Sequence, residues 1–174
     1  MASRRRDALI LGGVGLAAAV AGALAGVLAL QSRSGAADLL SARFQDLQGR
    51  PRRLIEWRGR ALLCNFWATW CTPCREEIPM LVAAKHKSSP DSPEVVGIGI
   101  DQADKIVEFA SIYKINYPIL VADATAIALL RGLGNRSGGL PYTVLLDPKG
   151  AIVGSKLGAL TAADLEQFLS NPIR

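Results

Sequence analysis

A nearly continuous apolar run, Ala61-Leu62-Leu63-Cys64-Asn65-Phe66-Trp67, is followed four residues later by Cys71-Thr72-Pro73-Cys74, which opens a stretch of helical character from Thr72 to Lys87. A strand-length run without polar alternation fits a central strand covered on both faces. The helix that follows is then one of its covers. The pattern repeats downstream: Val95 to Ile100 reads as a second buried strand, Gln102 to Lys114 as a helix with Ile106, Phe109, Ala110 and Tyr113 on one face, and Ile119 to Val121 as a short strand. Thr125 to Leu133 reads as a helix stopped by Gly134, and Asn135 to Gly139 as a loop leading through Pro141 into the strand Tyr142 to Leu146. The turn Asp147-Pro148-Lys149-Gly150 leads to Ala151 to Leu157, and Thr161 with Asp164 caps a last helix, Ala162 to Leu169. Ahead of these, Ala42 to Asp46 and Arg52 to Ile55 flank the break Leu47 to Pro51 and predict a hairpin. Strands alternating with helices imply a single α/β domain with a mixed central sheet.

The placement of the two cysteines carries the chemistry. Cys71 falls at a helix start, where unpaired backbone N–H groups and the positive end of the helix dipole stabilise a thiolate. Cys74 lies one turn further on the same face, within reach of a mixed disulfide on Cys71, so the pair can close into a disulfide and release a product. Pro73 is tolerated because first-turn positions need no intrahelical N–H partner. The sequence spacing leaves two other readings open. A zinc site would need two more ligands, and the remaining candidates, Cys64 and His86, are not at paired spacing. A purely structural bridge would remove little chain entropy from so short a loop. Redox exchange fits best. Cys64, inside the apolar strand, reads as a buried, inert thiol, His86 as a residue at the end of the helix, and Met80 as core.

Ala8 to Leu30 is a run of 23 residues drawn only from Ala, Gly, Leu, Val and Ile. As a helix it would cover roughly 35 Å, enough to cross a hydrocarbon core about 30 Å thick. Arg4, Arg5 and Arg6 precede it, so the positive-inside rule leaves residues 1–7 in the cytoplasm and sends the rest out. The expected organisation is a cytoplasmic start at 1–7, a single-pass anchor at 8–30, a tether at 31–41 and the α/β domain at 42–174. A cleaved signal peptide competes with the anchor through small-X-small steps such as Ala21-Gly22-Ala23, and Ser3-Arg4-Arg5 weakly invites twin-arginine export. All three readings export the domain. The formal charge of +5 owes much to that N-terminal arginine trio, and from Gln31 onward 17 basic residues face 14 acidic ones. With no long basic tract, a nucleic-acid partner is not expected. Six arginines between Arg43 and Arg60 read as a solvated face. A chain that is 50% hydrophobic and 20% charged is not disordered, and three cysteines do not make a disulfide framework.

The segment Asn65-Phe66-Trp67-Ala68-Thr69-Trp70-Cys71-Thr72-Pro73-Cys74-Arg75-Glu76-Glu77-Ile78-Pro79 resembles the active-site segment of the TlpA/ResA family, the membrane-anchored, exported thioredoxin-like proteins. The resemblance extends from about Phe44 to the C-terminus. It implies a thioredoxin-like fold with an N-terminal β-hairpin extension, and thiol-disulfide oxidoreductase activity without cofactor or metal. Leu140-Pro141-Tyr142-Thr143 matches the loop in which this fold sets a cis-proline against the disulfide, so Leu140 and Pro141 join Trp70, Thr72 and Pro73 as substrate-binding residues. Trp67 is the core member of the matching aromatic shell. Asn65 stands where cytoplasmic thioredoxins carry a buried acid. Glu77 matches an active-site glutamate of ResA-type members and is expected to exchange the proton of Cys74; a first-turn acid complementing the helix dipole is the other reading. Catalytic roles are thus expected at Cys71, Cys74 and Glu77.

Without a histidine or other cation between the cysteines, the couple is expected to be reducing. The implied substrates are exported proteins with disulfides, in cytochrome c maturation or copper-site assembly, and the implied electron donor is a membrane thiol transporter of the DsbD or CcdA type. An oxidase or isomerase remains compatible with the same dithiol. A metal- or haem-delivery chaperone holding its cargo on the two thiolates is the alternative; copper proteins of that kind add a distant histidine, whereas His86 lies twelve residues after Cys74. The cysteine pattern of the peroxiredoxins is missing around Cys71.

Overall fold

The computed structural model describes residues 20–23, 26–27 and 35–170. The strands are β1 (Phe44–Asp46), β2 (Pro51–Arg52), β3 (Leu62–Trp67), β4 (Glu94–Ile100), β5 (Ile119–Ala122), β6 (Tyr142–Leu146) and β7 (Ile152–Leu157). The helices among them are α1 (Thr72–His86), α2 (Ala103–Ile112), α3 (Ala126–Gly132) and α4 (Ala162–Ser170). The seven strands form one sheet in the order β2-β1-β5-β4-β3-β6-β7. Pairs β3–β4 and β4–β5 are parallel and the others antiparallel, so the sheet is mixed.

Every residue of β3 and β4 is buried, as an unbroken apolar run demands of strands at the centre of a sheet. On one face, Leu63 and Trp67 of β3 pack with Ile78 and Leu81 of α1, Ile106 and Phe109 of α2, and Leu165 of α4. On the other, Leu62, Cys64 and Phe66 meet Leu130 of α3, Leu54 and Leu39. The layers are therefore helix, sheet, helix. Gly97 of β4 lets Trp67 and Tyr117 come close: a Cβ there would stand 2.9 Å from Trp67 Nε1 and 3.0 Å from Tyr117 Cε2.

The hairpin β1–β2 forms as the sequence predicts, with Asp46 accepting from the backbone N–H groups of Gln48 and Arg50 across the turn. Its second arm is shorter than expected. Leu54–Trp57 is a 3₁₀ turn in which Glu56 accepts from the Arg53 backbone N–H, so strand pairing stops at Arg52. Three of the six clustered arginines are held by acids, Arg50 by Asp46, Arg52 by Glu56 and Arg60 by Glu94. Residues 35–41, expected as the end of a tether, are helical, and Ala36 and Leu39 are buried, with Leu39 in the core cluster behind β3. No helix among the described residues is long and apolar enough to cross a membrane. The expected anchor at 8–30 lies mostly outside the described residues.

Candidate active site

The site is built where β3 ends and α1 begins. Ala68, Thr69 and Trp70 turn the chain, Thr69 Oγ1 donates a hydrogen bond to Asp101 beyond the end of β4, and Cys71 becomes the N-cap of α1. Burial draws the Asp101 carboxyl upward, but the Thr69 hydroxyl, the Gln102 backbone N–H and the Lys105 charge leave it below the usual range. Asp101 is thus an anionic anchor for the loop that carries Trp70. Cys71 and Cys74 form a disulfide with a Cα–Cα separation of 5.3 Å. The Cys74 backbone N–H donates to Cys71 Sγ at 3.3 Å, so a free N–H of the first turn is aimed at this sulfur. Cys71 is 5% exposed and Cys74 fully buried. Beside them Trp70 is 70% exposed, Thr72 and Pro73 are exposed, and Trp67 is buried and stacked on Phe109 with ring centroids 4.9 Å apart.

The Leu140–Pro141 peptide bond is cis. Leu140 packs against the cluster that contains Cys71 and Cys74, and Pro141 is buried at the start of β6. The loop before it is tied by Asn135 Nδ2 donating to the Gly139 carbonyl at 2.8 Å and by Tyr142 Oη donating to the Leu133 carbonyl at 2.7 Å. The fold thus brings Trp70, Thr72, Pro73, Leu140 and Pro141 to the same end of the sheet as the disulfide.

Glu77 lies beyond the first turn of α1, buried on the face it shares with Cys74, which removes the dipole-complementing reading. Its Oε1 accepts from Asn65 Nδ2 at 2.8 Å and its Oε2 from the Leu160 backbone N–H at 2.7 Å. Asn65 Nδ2 also donates to Thr143 Oγ1 at 3.0 Å, joining β3, α1, β6 and the loop before α4. Burial raises the Glu77 pKa, and the Leu160 and Asn65 hydrogen bonds oppose that rise without cancelling it. A carboxyl of this kind exchanges a proton closer to neutrality than a surface one. The Leu160 contact, 83 residues away in sequence, has no sequence signal.

Arg75, exposed and directly after Cys74, is a further polar side chain at the site. Its Nε donates to Tyr113 Oη at 3.0 Å, and Tyr113 stacks on Phe109 with centroids 4.2 Å apart. A cation beside a cysteine was legible; its partner on α2 was not. Cys64 is fully buried, and burial pushes its thiol up to about 12, so it cannot supply a thiolate near neutral pH. His86 closes α1, roughly 20 Å along the helix from Cys71. That distance separates the chain's one histidine from the thiol pair.

The AhpC/TSA family profile matches residues 36–155. Thiol-disulfide oxidoreductase ResA of Geobacillus thermodenitrificans is 30% identical over 127 residues, covering 72% of this chain and 71% of that protein. Thioredoxin-like protein YneN of Bacillus subtilis is 33% identical over 127 residues, 71% of each chain. Among solved structures, a thioredoxin-family thiol:disulfide interchange protein of Chlorobium tepidum aligns with a TM-score of 0.66 at 26% identity, covering 76% of this chain and 93% of that one.

Proposed function

Since the chain belongs to the AhpC/TSA family and is a thioredoxin-like thiol-disulfide oxidoreductase of the ResA type, we propose that it reduces protein disulfides at the outer face of the cytoplasmic membrane through Cys71 and Cys74. The observation that carries this reading is the unequal placement of the two sulfurs. Cys71 is the N-cap of α1, 5% exposed beside exposed Trp70 and with the Cys74 backbone N–H on its sulfur, while Cys74 lies fully buried one turn further in. The Cys71 thiolate attacks a substrate disulfide and forms a mixed disulfide, and the first substrate sulfur leaves as a thiolate. Cys74, losing its proton toward Glu77, then attacks Cys71 and expels the second substrate thiolate. Two electrons pass to the substrate and the Cys71–Cys74 disulfide remains.

Trp70, Thr72, Pro73, Leu140 and Pro141 form the rim on which a substrate segment lies. A membrane dithiol donor of the DsbD or CcdA type returns the pair to the dithiol state, because the exported compartment itself is oxidising. The apolar run 8–30 behind three arginines supports a single-pass anchor with the N-terminus inside and the domain outside. Cytochrome c maturation or copper-site assembly supplies disulfide substrates of the required kind.

The test is the reduction potential of the pair together with a trapping variant. A value near that of thioredoxin, about −270 mV, is expected, and one near DsbA, about −120 mV, would make the protein an oxidant. Cys74→Ala is expected to lose turnover and to accumulate a mixed disulfide with a peptide disulfide on Cys71. Full turnover in that variant would remove the resolving role.

A further inference from the structure

Asn65 and Glu77 are matched, as they stand, for only one state of the acid. Both groups that touch the Glu77 carboxyl are donors: Asn65 Nδ2 reaches Oε1 at 2.8 Å and the Leu160 backbone N–H reaches Oε2 at 2.7 Å. Those partners suit a carboxylate. A carboxylic acid carries a hydrogen of its own and needs an acceptor for it, which a backbone N–H can never be. The proton of Glu77 therefore belongs on Oε1, the oxygen that faces Asn65.

Asn65 can supply the acceptor. Its Nδ2 also donates to Thr143 Oγ1 at 3.0 Å, so one end of the amide serves two neighbours. The other end serves none: among the described residues Asn65 Oδ1 is one of three buried side-chain polar atoms without a hydrogen-bond partner, with Trp67 Nε1 and Tyr117 Oη. An amide held from both ends would be locked, whereas one held from a single end can turn. Its oxygen and its NH2 group are close to equal in size, so a half-turn needs little new space. Once turned, Oδ1 accepts from the Glu77 hydroxyl with one lone pair and from the Thr143 hydroxyl with the other, since a threonine hydroxyl can donate as well as accept. In each orientation one end of the amide meets Glu77 and Thr143 and the other does not, so hydrogen bonding by itself favours neither strongly. The proton on Glu77 decides between them.

The other titratable groups facing this carboxyl are Cys74, one turn back on the same face of α1, and Tyr117 from the segment before β5. Burial and the Glu77 charge raise the Tyr117 pKa, so it stays a hydroxyl. Burial also raises the Glu77 pKa, which brings its acid form closer to neutral pH.

Resting on the proton exchange proposed above, we propose that Asn65 is a positioning residue that follows the Glu77 proton, donating to the carboxylate through Nδ2 and, after a half-turn, accepting from the acid through Oδ1. When Cys74 attacks Cys71, its proton passes to Glu77 Oε1, the Cys71–Cys74 bond forms, and the substrate sulfur leaves with the electron pair of the bond that breaks. Asn65 turns as the proton arrives and turns back as it leaves. Thr143, two residues past the cis Leu140–Pro141 bond, changes from acceptor to donor with it.

The test is NMR on the full chain, oxidised so that neither Cys71 nor Cys74 titrates, labelled with 13C and 15N and held in detergent micelles. Glu77 Cδ reports the proton, and the nuclear Overhauser contact between the Asn65 Nδ2 hydrogens and the Thr143 methyl group reports the amide. Both are followed from about pH 4 to about pH 9. The contact is expected to be strong at high pH and to be lost as Glu77 takes up its proton, with the same midpoint. In Asn65→Leu, which removes donor and acceptor together, the Glu77 midpoint is expected to move by less than about half a pH unit, whereas loss of a fixed donor would raise it by about one or more. The parent chain decides by itself if Asn65→Leu fails to fold. A contact that stays constant through the Glu77 titration, or a rise of that size in the variant, would overturn the turning amide alone. A Glu77 midpoint at the ordinary carboxylate value would overturn the proton exchange and the inference with it.

Discussion

Glu77 shows how one side chain is set by its surroundings. As a charge it needs partners, and it has two donors, Asn65 and the Leu160 backbone N–H, but it is still buried enough for its pKa to be raised. The folded chain therefore holds this proton more tightly than the unfolded chain. Its contribution to stability is complete below the ordinary carboxylate range and is lost as pH rises through the raised pKa. Glu77→Gln is expected to remove that slope from a plot of stability against pH, measured by urea unfolding. In the reduced protein the same substitution removes a negative charge near Cys74. Thiolate absorbance at 240 nm should then appear about one pH unit lower, and an unchanged titration would sink the proposed proton exchange.

At the scale of elements, β4 depends on its glycines. Gly97→Ala places a methyl group against Trp67 and Tyr117, both buried, and is expected to cost about 1–3 kcal/mol by denaturant unfolding. A neutral result would mean that these rings shift freely. The cap of α4 behaves differently, because it is electrostatic. The Thr161 backbone N–H and hydroxyl, and then Lys156, hold the Asp164 carboxyl down at about 2 against an ordinary value of 3.8. Its stabilising effect is present above the ordinary value and fades as pH falls toward 2. The melting-temperature gap between the parent protein and Asp164→Ala should therefore be constant from pH 7 to 5 and shrink below 4. A gap that persists at pH 2 would assign the cap to packing instead. This capping box was legible from Thr161 and Asp164 alone, since its two partners are three residues apart. The early end of β2 was not, because the 3₁₀ turn at Leu54 buries its side chain against the core behind β3.

For the molecule as a whole, the decisive question is where the domain begins. Leu39 is fully buried with Leu54, Phe66 and Leu130, so Leu39→Ala is expected to cost about 2–5 kcal/mol, and a chain starting at residue 42 should melt well below one starting at residue 35. Equal melting points would return residues 35–41 to the tether. By itself the sequence determined the alternation of strands and helices, the central place of β3 and the position of Cys71 and Cys74 at a helix start. These rest on periodicity and on contacts one turn apart, which short windows of sequence contain. Only the tertiary structure decided what meets across the sheet: Leu160 on Glu77, Asp101 on Thr69, Tyr113 on Arg75, and Gly35 on Gly132 at the cysteine end. Each of these joins residues from different elements, and packing rather than local propensity sets which backbone N–H, hydroxyl or carboxylate arrives there.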